Sequence, residues 1–188
     1  RPAVLLLAAD RAPGSPGGQG LLAALGPGAR LSVGPPVPPA EAADSLRCAE
    51  RGLDLVRRGV LPDRGPLRCA EHLGTLLLYA DEPLQHLLRR HELAPLDGLP
   101  GTQRARLVET LLAWLQSGCT VPPVARALHV HPQTVRYRLR RLEQLFGDRL
   151  RDPGGHLDLE LALRAEVLGA ARRARELPVG RLRPSGAA

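Results

Sequence analysis

Apolar positions along this chain follow two different rhythms. In the first half, short continuous apolar runs alternate with helical spacing. Residues 3–9 (A-V-L-L-L-A-A) suit a buried strand, 30–33 a second and 67–70 a third. A Pro- and Gly-rich stretch at 13–20 reads as a loop, and 21–25 has room for one or two helical turns. From 40 to 58, Ala42, Ala43, Leu46, Ala49, Leu53 and Val56 recur at three and four residues, which predicts a helix. Two short helices follow at 72–79 and 83–91, with Pro83 placed in a first turn. The second half is helical throughout. A-P-L-D-G-L-P-G-T at 94–102 predicts a linker, and 104–116 predicts a helix with Leu107, Leu111, Leu112 and Leu115 on one face, closed by Gly118. Asp152-Pro153-Gly154-Gly155 predicts a turn, and a last helix over 157–175 carries Leu159, Leu161, Leu163, Val167 and Leu168. The expected organisation is an α/β module at 1–93, a linker at 94–103, an all-α domain at 104–176 and a tail without fixed structure at 177–188.

The segment 120–146 carries the sharpest pattern. Val124, Ala125 and Leu128 predict a short helix, with Ala125 where two crossing helices need a residue without bulk. His129-Val130-His131 makes a turn with Val130 directed inward. Pro132 suits the first position of a second helix, because its missing N–H would be unpaired there anyway. In that helix, 132–146, Val135, Leu139, Leu142 and Phe146 fall within about 60° of one another at 100° per residue. The opposite side presents Gln133, Thr134, Tyr137, Arg140, Arg141 and Gln144, while Arg136 and Arg138 flank the stripe. This is the layout of a helix-turn-helix, whose second helix enters the DNA major groove. Gln133, Thr134 and Tyr137 lie where base edges are read. Arg136, Arg138, Arg140 and Arg141 divide between guanine contact and phosphate neutralisation. The helix N-terminus at His131 offers amide donors to a phosphate.

Charge supports a polyanion partner. The net charge is +7; residues 1–100 hold 11 arginines and 11 acids, whereas residues 101–188 hold 15 arginines and 8 acids. The whole excess therefore lies with the predicted helix-turn-helix. The chain has no lysine, so arginine abundance alone weighs less than its uneven distribution. Four aromatic residues, Tyr79, Trp114, Tyr137 and Phe146, leave a core of Leu, Val and Ala, which favours helices. Without methionine, and opening Arg1-Pro2, the chain is expected to be a fragment or a processed product. The apolar run at 3–9 is too short to span a bilayer, which takes about 20 residues, and lacks a signal peptide's basic lead-in. Cys48, Cys69 and Cys119 fit neither a disulfide framework nor a zinc site, so idle or buried thiols in a reducing cytoplasm are expected.

A-R-A-L-H-V-H-P-Q-T-V-R-Y-R-L-R-R-L-E at 125–143 resembles the C-terminal helix-turn-helix of the PucR/CdaR family of bacterial transcriptional regulators, which commonly reads A-R-A-L-H-V-H-R-N-T-V-R-Y-R-L-R-R-I-E. L-x-L-E-L-A-L-R at 157–164 resembles the family's closing helix, and the resemblance spans about residues 105–172. It departs from the family at Gln133, where Asn is usual, and at Pro122-Pro123, which replace a capping Ser and its neighbour. G-P-P-V-P at 34–38, E-A-A-x3-R-x-A-x2-G-L from Glu41, and L-R-C-A-E-H-L-G at 67–74 resemble the tail of that family's GGDEF-like domain, a degenerate relative of diguanylate cyclases. One recognition helix reads too few base pairs for useful specificity, so a homodimer on duplex DNA is expected. The resemblance implies a small-molecule effector sensed by a region further upstream.

Other chemistry finds little support. The GGDEF acidic signature is absent, and Asp10 alone does not hold a metal–nucleotide pair. The glycine-rich 13–20 lacks the G-K-[ST] ending of a phosphate loop, His129-x-His131 lacks further metal ligands, and His91-Glu92 does not continue as H-E-x-x-H. No cofactor and no catalytic residue is expected. The expectation is a cytoplasmic, non-enzymatic, sequence-specific DNA-binding regulator. The rivals are a nucleotide-related α/β signalling domain and a protein-interaction adaptor with a basic helical tail.

Overall fold

The computed structural model describes residues 29–176. The strand expected at 3–9, the loop at 13–20, the turns at 21–25, Asp10 and the tail at 177–188 lie outside the described residues. The chain divides into two compact units between Leu77 and Leu78.

In the first unit, β1 (Ser32–Val33) and β2 (Leu67–Arg68) pair in parallel, Ser32 opposite Leu67 and Val33 opposite Arg68. Parallel neighbours need a crossover, and α1 (Ala42–Arg57) supplies it. Both strands are shorter than the four residues expected of each. Gly34-Pro35-Pro36 ends β1 because proline has no N–H to offer a ladder, and the chain after Arg68 turns into a 3-10 helix at Cys69–Glu71. The buried face of α1 is Gly52, Leu55 and Val56; Ala43, expected on that face, is exposed. Gly52 explains the shift. A Cβ there would come within 2.7 Å of Cys69 Sγ and of Leu67 Cδ2 and within 2.8 Å of Ser32 Oγ, so only glycine lets α1 close on the strands. Cys69 donates to the Cys48 carbonyl (3.3 Å) and lies 3.3 Å from Ser32 Oγ. Burial pushes its thiol above the ordinary range, opposed by the Ser32 bond and reinforced by nearby Cys48. The short helix α2 (Leu73–Leu78) follows.

The second unit is all helical. It comprises α3 (Glu82–Leu93), α4 (Gly101–Gln116), α5 (Val121–Ala127), α6 (Pro132–Phe146) and α7 (His156–Glu176), with 3-10 turns at Ala94–Leu96, Gly147–Leu150 and Pro153–Gly155. Asp81 caps α3 by accepting from the Leu84 N–H at 2.9 Å, with Pro83 in the first turn as expected. α3 and α4 both pack on α7. The main core joins Leu93 and Leu96 to Leu107, Val108 and Leu111 of α4, Leu142 and Phe146 of α6, and Leu159, Ala162 and Leu163 of α7. Residues 94–103, rich in Pro and Gly, thus hold a core residue: Leu96 is 0% exposed.

Two buried carboxylates tie the helices together. Glu92 of α3 takes Arg149 Nη2 on both oxygens (2.9 and 2.8 Å) and lies 2.9 Å from His91 Nδ1. Glu166 of α7 is held by Arg89 of α3 (3.1 Å) and by Arg104 of α4, with Arg173 at 3.8 Å. A buried carboxylate needs such partners, because desolvation without pairing is expensive. Among the described residues no helix is long and apolar enough to cross a membrane, and no cluster of three potential metal ligands forms.

Candidate nucleic-acid interface

The helix-turn-helix forms as the spacing predicts. Val124 and Ala125 of α5 and Val135 of α6 make a small buried cluster, covered by Leu128, Val130 and Leu139. Leu139 and Trp114 touch both this cluster and the main core, so α6 is fixed along its whole length. Burying aliphatic side chains as fully as Val135 and Leu142 stabilises the fold by roughly 1.5–3 kcal/mol each.

The turn itself is a helix-capping motif. Val130 N–H bonds to the Ala125 carbonyl (3.0 Å) and His129 N–H to the Arg126 carbonyl (3.3 Å), while the Val130 side chain packs against the Val124, Ala125 and Val135 cluster. That is the Schellman pattern, whose left-handed residue is usually glycine; here it is His129, at φ 52°. α4 ends in the same pattern with Gly118 at φ 61° in that position.

The two helix starts are settled differently. α5 has no side-chain cap. Its second and third residues are Pro122 and Pro123, so the two amides that a cap would satisfy do not exist. Thr120 turns its hydroxyl back to the Ser117 carbonyl (2.8 Å). At α6, His131 is the cap, and its Nδ1 accepts from the Gln133 N–H at 3.2 Å. The Thr134 N–H bonds to the His131 carbonyl at 2.9 Å. The amides expected to be free for a phosphate are therefore engaged. What His131 offers instead is Nε2, which carries the proton when Nδ1 accepts.

The remaining predicted residues lie along α6. Gln133, Arg136, Tyr137 and Arg140 are exposed, Tyr137 by 70%; Thr134, Arg138 and Arg141 are half-buried. Arg136 donates to Gln133 Oε1 and Arg141 to Gln144 Oε1, each at 3.2 Å. Arg138 leaves its own helix and donates through Nη1 to Thr110 Oγ1 on α4, at 3.1 Å.

The arginines of this unit differ in their partners. Arg89, Arg104, Arg149, Arg164 and Arg173 of this unit all pair with carboxylates. Among the described residues, none of Arg136, Arg138, Arg140 and Arg141 has an ion pair; their acceptors, where they have any, are neutral amides and a hydroxyl. Four guanidinium groups of α6 thus have no carboxylate within ion-pair distance among the described residues, against a single acid, Glu143, on the same helix.

Residues 107–165 match the family described as the PucR C-terminal helix-turn-helix domain, and those residues run from α4 through α5 and α6 into α7. The segment is a PucR C-terminal helix-turn-helix domain. The chain is also 42% identical over 62 residues to the purine catabolism regulatory protein of Bacillus subtilis, covering 33% of this chain and 12% of that protein. It is 37% identical over 87 residues to an uncharacterized protein of Haemophilus influenzae, covering 46% of this chain and 23% of that one. A crystal structure of a regulator of polyketide synthase expression from Bifidobacterium adolescentis aligns over 73% of this chain and 53% of that chain, at 30% identity and a TM-score of 0.33. The chain thus spans less than a quarter of the curated relatives named here.

Two residues of the PucR-type domain escaped the sequence reading. Thr110 lies on the buried side of α4, three residues after Leu107, and is 0% exposed; that spacing was its signal. Arg126, exposed in the last turn of α5 and without an ion pair among the described residues, adds charge beside the turn.

Proposed function

We propose that this chain is part of a bacterial transcriptional regulator that binds duplex DNA in a sequence-specific manner, with α6 in the major groove. The observation that carries the reading is the contrast in arginine pairing: carboxylates neutralise the arginines that hold the unit together, and none neutralises those of α6. A solvated structural helix has no need of that segregation, whereas a phosphate-facing helix does. The regulatory name of the Bacillus relative supports the same reading. Gln133, Thr134 and Tyr137 occupy the first turns, where base edges are reached. Arg136, Arg140 and Arg141 neutralise phosphates or reach guanine, His131 Nε2–H donates to a phosphate, and Arg138 completes the set.

One recognition helix reads few base pairs, so the working form is a homodimer on two half-sites about 34 Å apart. The parallel β1–α1–β2 unit fits the remnant of a degenerate cyclase-like module, with an effector-sensing region upstream. A partner of this kind places the protein in the cytoplasm.

Selection of bound sequences from a random duplex pool tests the reading. The expected result is a paired motif spaced by one helical turn, and a changed base preference for Gln133→Asn. Recovery of unenriched sequences would refute sequence-specific binding, and identical motifs from both proteins would remove Gln133 from the reading set. Gln133 and Arg136 hold each other in the free protein, so their substitutions should not be additive.

A further inference from the structure

We propose that Thr110 is a positioning residue for DNA binding, holding the Arg138 guanidinium ready for a backbone phosphate; the inference rests on the DNA-binding reading above. The bond directions are determined. Arginine only donates, so Thr110 Oγ1 accepts from Arg138 Nη1 at 3.1 Å. The single hydroxyl proton of Thr110 is given to the Arg106 carbonyl one turn back on α4, at 2.7 Å. The result is a relay from guanidinium to hydroxyl to backbone carbonyl, in which each bond polarises the next.

The identity of the anchor matters more than its presence. Where this unit uses an arginine as a tie, it gives it a carboxylate: Arg149 on Glu92, Arg104 on Glu166. A carboxylate anchors a guanidinium and cancels its charge. A hydroxyl anchors it and leaves the charge intact. Arg138 is also the one arginine of α6 whose bond, among the described residues, goes to another helix; Arg136 and Arg141 lean on exposed glutamines of α6 itself. Its Nη1 is occupied, and the remaining N–H groups stay available for the two-pronged contact that phosphate oxygens accept. Because the side chain is already ordered in the free protein, less of its rotamer freedom is lost on binding.

The test measures duplex affinity against salt for the chain and for Thr110→Val, Thr110→Ser, Arg138→Ala and the Thr110→Val/Arg138→Ala double variant. Valine matches threonine in volume but accepts nothing. Thr110→Val should weaken binding to every duplex by about three- to tenfold, the cost of ordering one free arginine side chain. The salt slope should stay close to that of the unaltered chain, because Arg138 still reaches the phosphate once it is ordered. Arg138→Ala, by contrast, should make it shallower by about one phosphate contact. Thr110→Ser should bind as the unaltered chain does. Adding Thr110→Val to Arg138→Ala should change nothing further. An affinity equal to that of the unaltered chain, or additive effects of the two substitutions, would overturn the proposal.

Should Thr110→Val not fold, NMR of the unaltered chain decides: restricted rotation of the Arg138 guanidinium, set against free rotation for Arg140, supports the anchor, and equal freedom refutes it. If the unaltered chain shows no salt-dependent duplex binding, the DNA reading itself fails. If it binds and Thr110→Val binds equally, only the role of Thr110 falls.

Discussion

His131 is exposed and caps α6 through Nδ1, leaving Nε2 to carry the proton, so substitutions there separate stability from binding. His131→Ala should lower stability by about 0.5–1 kcal/mol, the usual range for an exposed helix cap. His131→Asp should restore the cap, and a negative charge suits the helix start, yet it puts a carboxylate on the face proposed to meet phosphate. The expected outcome is a denaturant midpoint at or above that of the unaltered chain, with duplex affinity below that of His131→Ala. An Asp variant that binds DNA undiminished would remove His131 from the interface. At this scale the sequence was informative about identity and less so about engagement. The residues facing outward on α6 follow from a 3.6-residue period. That His131 would consume the amides of its own helix, and that Arg138 would reach Thr110 28 residues away, depends on side-chain rotamers and a helix crossing that no local pattern encodes.

The elements of the second unit were legible because each has an apolar stripe of leucine or valine, and a turn whose chemistry is local. The Schellman cap joining α5 to α6 shows how local: Ala125, Arg126, His129 and Val130 complete it alone. Its one weakness is His129 at φ 52°, a left-handed conformation that costs a side-chain-bearing residue free energy. His129→Gly should raise stability by about 1 kcal/mol, read from the denaturant midpoint at unchanged slope. A loss of stability would show that the imidazole makes contacts worth more than the strain. In the first unit the strands were overestimated and the face of α1 misplaced. Hydrophobicity marks side chains that seek burial, and the residue that decides the closest approach, Gly52, has none.

At the scale of the whole molecule, the apparent linker shows the limit of composition. Proline and glycine mark where regular structure stops; they do not say whether the stop is buried. Leu96 sits in the middle of the Pro- and Gly-rich stretch and Leu93 just before it, both in the main core with α4, α6 and α7. A fragment of residues 78–176 is therefore expected to unfold cooperatively. A fragment of residues 104–176 loses both leucines, at roughly 2–5 kcal/mol for each core leucine removed, against a total stability of about 5–15 kcal/mol for a domain. Circular dichroism melts should show a sharp transition for the first and none for the second. A cooperative melt of 104–176 would place α3 outside the folding unit. The distribution of charge, by contrast, was legible at this scale, since the second half with its excess contains the helix whose four arginines have no ion pair among the described residues. Its consequence is the dependence of duplex affinity on salt concentration. The logarithm of affinity should fall linearly with the logarithm of salt, by about 0.9 per phosphate neutralised. Arg136→Ala/Arg140→Ala should flatten that slope by about two units, with the fold intact. Salt-independent binding, or an unchanged slope in the double variant, would contradict the account.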